Sequence, residues 1–218
     1  MIHVSPAQEP TDFDSKVRRP GLRAISEMIG EAPQFPRTSG KEFKVVASQK
    51  VEIPSSSFPT YWTEVLDDLM SAYGEICAYS CFRIHRVTGG RSVDHMAPKS
   101  LSWDQVYEWS NYRLACSWMN SSKREFGDVL DPFLVQDGWF ELELVGFQVI
   151  PANGLGAGIK RQVEDTISRL GLNRFCLDRA EDAEDYWNGD TSFSVLLRES
   201  PFVTKELRRQ GRLRAGDI

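Results

Sequence analysis

Asp94 and His95 are adjacent, Asn111 immediately precedes the segment Tyr112-Arg113-Leu114-Ala115-Cys116, and Asn120 follows within Met119-Asn120-Ser121-Ser122-Lys123. An imidazole that is neutral near pH 7 can take a proton from water, the general-base role its ordinary pKa suits. Asp94 offers carboxylate oxygens and Asn120 an amide oxygen, both hard donors of the kind that Mg²⁺ or Mn²⁺ accepts. A cation held by two protein groups keeps positions open for water and for an anionic substrate oxygen, where it acts as a Lewis acid. Asn111 is expected to hydrogen-bond near the His95 backbone or ring and fix its orientation. Lys99, Arg113, Lys123 and Arg124 are candidates for phosphate contacts, which position a strand without reading its sequence. Such a set suits hydrolysis of a phosphodiester, which needs an activated water, charge relief at phosphorus and help for the leaving oxygen. An Asp-His pair alone is a weak signal; the ordered company of Asn-x-Arg-Leu-x-Cys and Asn-x-x-Lys gives it weight.

These residues need elements to bring them together. Ser92 to Met96 reads as a short strand broken by Pro98, and Tyr112 to Cys116 as a second strand opened by Asn111. Trp103 to Trp109 reads as a helical turn in the loop between them. Ser117 to Phe126 reads as a helix entered through a serine and ended by Gly127. Upstream, Trp62, Val65, Leu66, Leu69, Met70 and Tyr73 recur at helical spacing, predicting a helix from Phe58 to Gly74. Residues 1–60 carry Pro at 6, 10, 20, 33, 36, 54 and 59, which predicts an arm of little regular structure with one short helix, Gly21 to Ile29. Downstream, Trp139 to Ile150 is the strongest strand signal, with Gly146 marking a turn or bulge. Ile159 to Leu170 reads as an amphipathic helix stopped by Gly171, and a last helix is expected around Phe202 to Arg214. The expected class is α+β. The expected organisation is an arm over 1–60, a core with its preceding helix over 61–130, and a C-terminal strand and helical extension over 131–218.

The strand–strand–helix order with its Asp-His, Asn and Asn resembles the HNH endonucleases of the His-Me finger group. The phrases FDSKVRRPGL, ICAYS, SVDHMAPKS, YEWSNYRLAC, NSSK, VLDPF, DGWFEL and TISRLGLN are similar to those of a bacterial HNH subgroup that includes nucleases encoded with retrons and with the Septu antiphage system. The resemblance covers roughly residues 12–180. It implies a metal-dependent endonuclease acting on DNA in antiphage defence, with His95 as the base, Asn111 orienting it, and Asp94 and Asn120 holding Mg²⁺ or Mn²⁺. It also implies an ATPase partner encoded alongside. Two further functions stay open at this point: a nuclease subunit idle until that partner delivers substrate, and an RNA- or tRNA-directed nuclease, since nothing in the residues reads a 2′-hydroxyl.

The sequence departs from the family in one respect. Many HNH proteins hold a structural zinc with two Cys-x-x-Cys pairs, whereas Cys77 is followed three positions on by Ser80, with Cys81 next, and Cys116 is followed by Met119. A thioether is a poor zinc ligand beside thiolate or imidazole, so structural Zn²⁺ is not expected; if bound, it would use Cys77, Cys81 and Cys116 with His85. The hairpin and helix are expected to be pinned instead by Ile76, Phe82, Leu114, Trp118 and Met119. Trp103, Tyr107 and Trp109 are expected to seal a small core rather than stack on exposed bases.

Composition sets the outer bounds. At 218 residues, 41% hydrophobic and 26% charged, with a net charge of −5, the chain suits one well-buried domain and not a disordered one. The charge is uneven: residues 83–124 carry seven basic against three acidic side chains, and 125–197 carry five against fourteen. A basic island in an acidic chain suits a polyanion held at one site. No apolar run approaches a membrane span, and the start lacks a basic segment followed by an apolar one. Four cysteines are too few for a disulfide scaffold. A cytoplasmic protein that binds nucleic acid and no membrane is therefore expected.

Overall fold

The computed structural model describes residues 1–217. The chain is of the mixed α+β class and falls into two compact units, each assembled from separated stretches. The smaller holds Pro6–Gly74 and Ser92–Leu114; the larger holds Met1–Ser5, Glu75–Arg91 and Ala115–Ile218. Residues 6–60 thus group with 61–74 and with the segment bearing Asp94 and His95. The expected 61–130 core is divided between the two units.

The smaller unit begins with a π-helical turn, Asp14–Arg18, that runs into α1, Arg19–Met28. Pro20 stands in the first turn of α1, directly after the π-helical turn. Gly21 is required there: a Cβ would collide with the Tyr107 ring. The expected helix over 58–74 is shorter and begins as a 3-10 turn, Tyr61–Val65, before α2, Leu66–Ala72. Phe13, Val17, Ile25, Val65, Leu69, Met70, Val106 and Tyr112 are buried in this unit. Its centre is aromatic, with Phe13 meeting Trp109 and Tyr112 edge to face at 5.8 Å each, an arrangement that aligns ring edge with ring face.

Strand β1, Arg91–His95, pairs with β2, Tyr112–Cys116, in a two-stranded sheet. Backbone bonds close both ends of the pair in the antiparallel sense, from Ser117 to Gly90 and from Met96 to Asn111. The intervening loop carries two 3-10 turns, Trp103–Gln105 and Trp109–Asn111. Directly after β2 comes α3, Ser117–Lys123; its cap position is Cys116 rather than a serine, and it ends at Arg124, which takes φ 49°. Helix α3 therefore stops short of Phe126, before Gly127 is reached.

In the larger unit the long apolar stretch 139–150 is a hairpin and not one strand. Strands β3, Phe140–Leu142, and β4, Val149–Pro151, pair antiparallel with Glu141 opposite Ile150. The Glu143 carboxylate closes the turn by accepting from the N–H groups of Gly146 and Gln148. Helix α4, Ala157–Leu170, ends on Gly171 in the left-handed region, whose N–H caps the Ile167 and Ser168 carbonyls. Two helices were not expected from the sequence, α5, Cys176–Asn188, and α6, Phe193–Glu199; α7, Pro201–Arg209, is the shortened form of the expected last helix. The acidic run 181–185 lies on α5. Among the described residues no helix is long and apolar enough to cross a membrane.

Candidate functional site

His95 is the last residue of β1 and is buried in the smaller unit, 7% exposed. Its Nε2 lies 3.0 Å from the Val106 carbonyl oxygen. A carbonyl can only accept, so Nε2 carries the proton and Nδ1 is the basic nitrogen of the ring. The ring is held laterally by two edge-to-face contacts, Trp62 at 4.7 Å and Tyr112 at 5.2 Å. The Tyr112 hydroxyl donates to the same Val106 oxygen at 2.9 Å, so one carbonyl aligns both side chains. Burial pushes the Tyr112 and Tyr107 hydroxyls well above the usual phenol range, and both stay protonated donors at neutral pH.

Asn111 does not meet the His95 ring. Its amide oxygen accepts from the Ala97 N–H at 2.7 Å, and its amide nitrogen donates to the Ala97 and Gln105 carbonyls at 3.1 and 3.0 Å. It thus ties both ends of the 96–111 loop to each other, and the loop in turn presents the Val106 carbonyl. Asn111 is a positioning residue that acts on His95 through that loop. Asp94 precedes His95 and is 2% exposed. Among the described residues no three His, Cys, Asp or Glu side chains converge as a metal set. Asn120 lies in the larger unit, half-buried on α3.

The basic residues divide. Lys99 is half-buried, its ammonium 4.5 Å above the Trp62 ring that also edges His95. Arg113 is 4% exposed and its guanidinium donates to the Ser110 and Tyr112 carbonyls; it holds backbone and is not a phosphate contact. Lys123 is fully buried, so it too is withdrawn from that role. Arg124 is exposed. Tyr107 and Trp109 are buried, with the Tyr107 hydroxyl donating to Pro59 and the Trp109 indole to Ala7. They belong to the core, while Trp103 is half-buried beneath Lys50.

Cys77, Cys81 and Cys116 stand in a hydrogen-bonded knuckle in the larger unit. Residues 75–84 make a tight hairpin in which Ile76 bridges Arg83, and the Cys81 N–H returns to the Cys77 carbonyl. The Cys116 N–H donates to the Cys77 sulfur at 3.4 Å. Burial opposes ionisation of Cys77, but hydrogen bonds from Cys116 and Ser80 outweigh it and draw the thiol down. Pairing with Cys77, reinforced by burial, pushes the Cys116 thiol up. Ser80 thus supplies a hydrogen bond to the Cys77 thiol, and Met119 is buried as an apolar group.

Sequence reasoning missed the set that orients His95: the Val106 carbonyl, Tyr112 and Trp62. A backbone carbonyl carries no residue-type signal, and the two aromatics read as ordinary core positions. The chain matches no model of a known protein family, and no curated protein matches it.

Proposed function

We propose that the chain is a divalent-metal-dependent endonuclease of the HNH, His-Me finger kind that hydrolyses phosphodiester bonds in DNA. The observation that carries this reading is the His95 Nε2–H bond to the Val106 carbonyl, which turns Nδ1 into the basic nitrogen of a ring fixed on three sides. A strand ending in Asp-His, a loop, a second strand and a helix follow one another in the order such a core requires.

In this reading Nδ1 of His95 takes a proton from the attacking water while Nε2 keeps its own proton on Val106. The imidazolium that forms is stabilised by the carbonyl dipole already aligned on it. Asn111 holds the loop, and Lys99, above Trp62, supplies a cation for a phosphate oxygen. Asp94 is the proposed holder of Mg²⁺ or Mn²⁺, which when bound would supply charge relief at the leaving oxygen. The resemblance of the sequence to antiphage HNH nucleases makes foreign DNA the proposed target and an ATPase the proposed partner.

The test is plasmid cleavage with Mg²⁺ or Mn²⁺, by the chain alone and with the protein encoded beside it. His95→Ala is expected to lower the rate by about 10²- to 10⁴-fold, with circular dichroism unchanged, and EDTA is expected to stop cutting. A His95→Ala protein that cuts as fast as the parent removes His95 as the base.

A further inference from the structure

Helix α3 has a second face. Offsets of three and four residues put Trp118, Ser121 and Ser122 on one side of it, and at 100° per residue Asn120 falls on the other. The Trp118 side opens on a cavity of about 450 Å³ whose other walls are the end of α4 and the 3-10 turn Leu172–Phe175. All of these elements belong to the larger unit. Arg124, Arg169 and Arg174 line the cavity together with Ser121, Ser122 and Ser168, and no carboxylate does. This is the reverse of the surrounding sequence, since residues 125–197 carry fourteen acidic against five basic side chains.

The arginines are held in ways that leave donors for a ligand. Arg169 packs 4.4 Å above Phe126, and Arg174 packs 5.1 Å from the centre of the Trp118 ring. Asp128 binds Arg169 at 2.6 Å from outside the lining set, so one of the three guanidinium groups is partly neutralised. Gly171 leaves room for Arg174, because a Cβ there would stand 3.2 Å from its Nε. The Gly171 N–H already caps two of the last carbonyls of α4, which reduces the negative end that helix presents to the cavity. Planar, permanently charged guanidinium groups fork onto phosphate oxygens, serine hydroxyls add neutral donors, and Trp118, 42% exposed, offers an indole at the rim.

We infer that this cavity is a phosphate-binding site which takes a backbone phosphate of the nucleic acid strand, apart from the residues that cut it. The strand as source rests on the nuclease reading; the phosphate chemistry does not. The site anchors the strand through Arg124 and Arg174, with Arg169 shared between the phosphate and Asp128.

The experiment measures binding of a fluorescein-labelled single-stranded oligonucleotide by anisotropy, in EDTA so that nothing is cut, across a salt series. Arg124→Ala and Arg174→Ala are each expected to weaken binding about tenfold, and the salt slope should fall by about one for each. Ser122→Glu puts a carboxylate into the cavity from a half-buried helix position and is expected to weaken binding with circular dichroism unchanged. Parental affinity and salt slope in both Arg124→Ala and Ser122→Glu overturn the proposal, as does displacement of the strand by inorganic phosphate at an equal phosphate concentration, which would make free phosphate the ligand. If the oligonucleotide binds through these residues while the parent never cuts, the site stands and the nuclease reading falls. If the parent cuts and the variants cut with an unchanged KM and salt dependence, the site falls and the nuclease reading stands.

Discussion

The surroundings of His95 and the arginine cavity beside α3 handle polar groups in opposite ways. Around His95 every oriented group answers to backbone: the ring and the Tyr112 hydroxyl to Val106, and Asn111 to Ala97 and Gln105. Aromatic edges close the remaining sides. In the cavity the charges answer to aromatic faces and to one outlying carboxylate, and the space between them is open. The first arrangement holds one ring in a single orientation, as proton transfer demands. The second sets a sign of charge and tolerates movement, as contact with a flexible strand demands. Rate and affinity should therefore respond to different residues. His95→Ala is expected to remove turnover with oligonucleotide affinity kept, and Arg124→Ala to weaken affinity with single-turnover rate at saturation kept. Equal loss of both quantities in either variant would collapse the distinction.

Asn111→Ala sharpens it next. The change deletes three hydrogen bonds in a residue that is 5% exposed and leaves the Ala97 and Gln105 carbonyls without that donor. A loss of about 2–3 kcal/mol of stability follows, read by urea denaturation. The rate should fall because the Val106 carbonyl is released from register, while the Mg²⁺ concentration for half-activity stays constant. A shift of that half-activity point instead would mean that Asn111 acts on the cation and not on the loop.

How far the sequence carried depends on what each residue type must do. The strands beside Asp94 and His95, and the helix after Cys116, were legible because short apolar runs bounded by Pro98, Asn111 and a serine leave few alternatives. The hairpin 140–151 was half legible: Gly146 marked the turn, but a run apolar on both sides of it reads as one strand. Helices α5 and α6 were not legible, since the acidic sequence of α5 hides an inner face of Arg179, Ala183 and Tyr186. Arg113 and Lys123 show the limit for charged side chains. Their long stems can bury and turn their charge onto backbone or core partners, so residue type and spacing placed them on the right elements and gave their exposure wrongly. Arg169 and Arg174 carried no signal because the cavity needs α3 and α4 side by side, some 50 residues apart in the chain.

A smaller effect separates the stability of the unit from the chemistry of its ring. Glu27 on α1 is 6% exposed and accepts from Arg37 at 2.7 Å twice and from the Phe43 N–H at 2.9 Å. The Arg37 guanidinium holds its carboxyl below the usual range. A carboxylate with a depressed folded pKa stabilises above its unfolded value, about 4.3, and loses that contribution as pH falls through the folded value. Glu27→Gln should cost about 2 kcal/mol at pH 7 and progressively less below pH 4, with cleavage unchanged where the variant is folded. An equal cost at pH 7 and pH 3 would show that shape and not charge holds residues 37–43 to α1.

The smallest effect isolates the shared carbonyl. Tyr112→Phe keeps the ring that edges His95 and removes only the hydroxyl that competes with Nε2 for the Val106 oxygen. The cost should be about 1 kcal/mol, a single neutral hydrogen bond, because Val106 keeps its bond to His95 and no donor is stranded. Freed from a second donor, the oxygen binds Nε2–H more strongly, which raises the basicity of Nδ1 and moves the acid limb of the pH–rate profile slightly upward. A fall in rate of tenfold or more with the limb unmoved would instead make the hydroxyl a participant in the chemistry, and the orientation of His95 would then rest on two donors acting together.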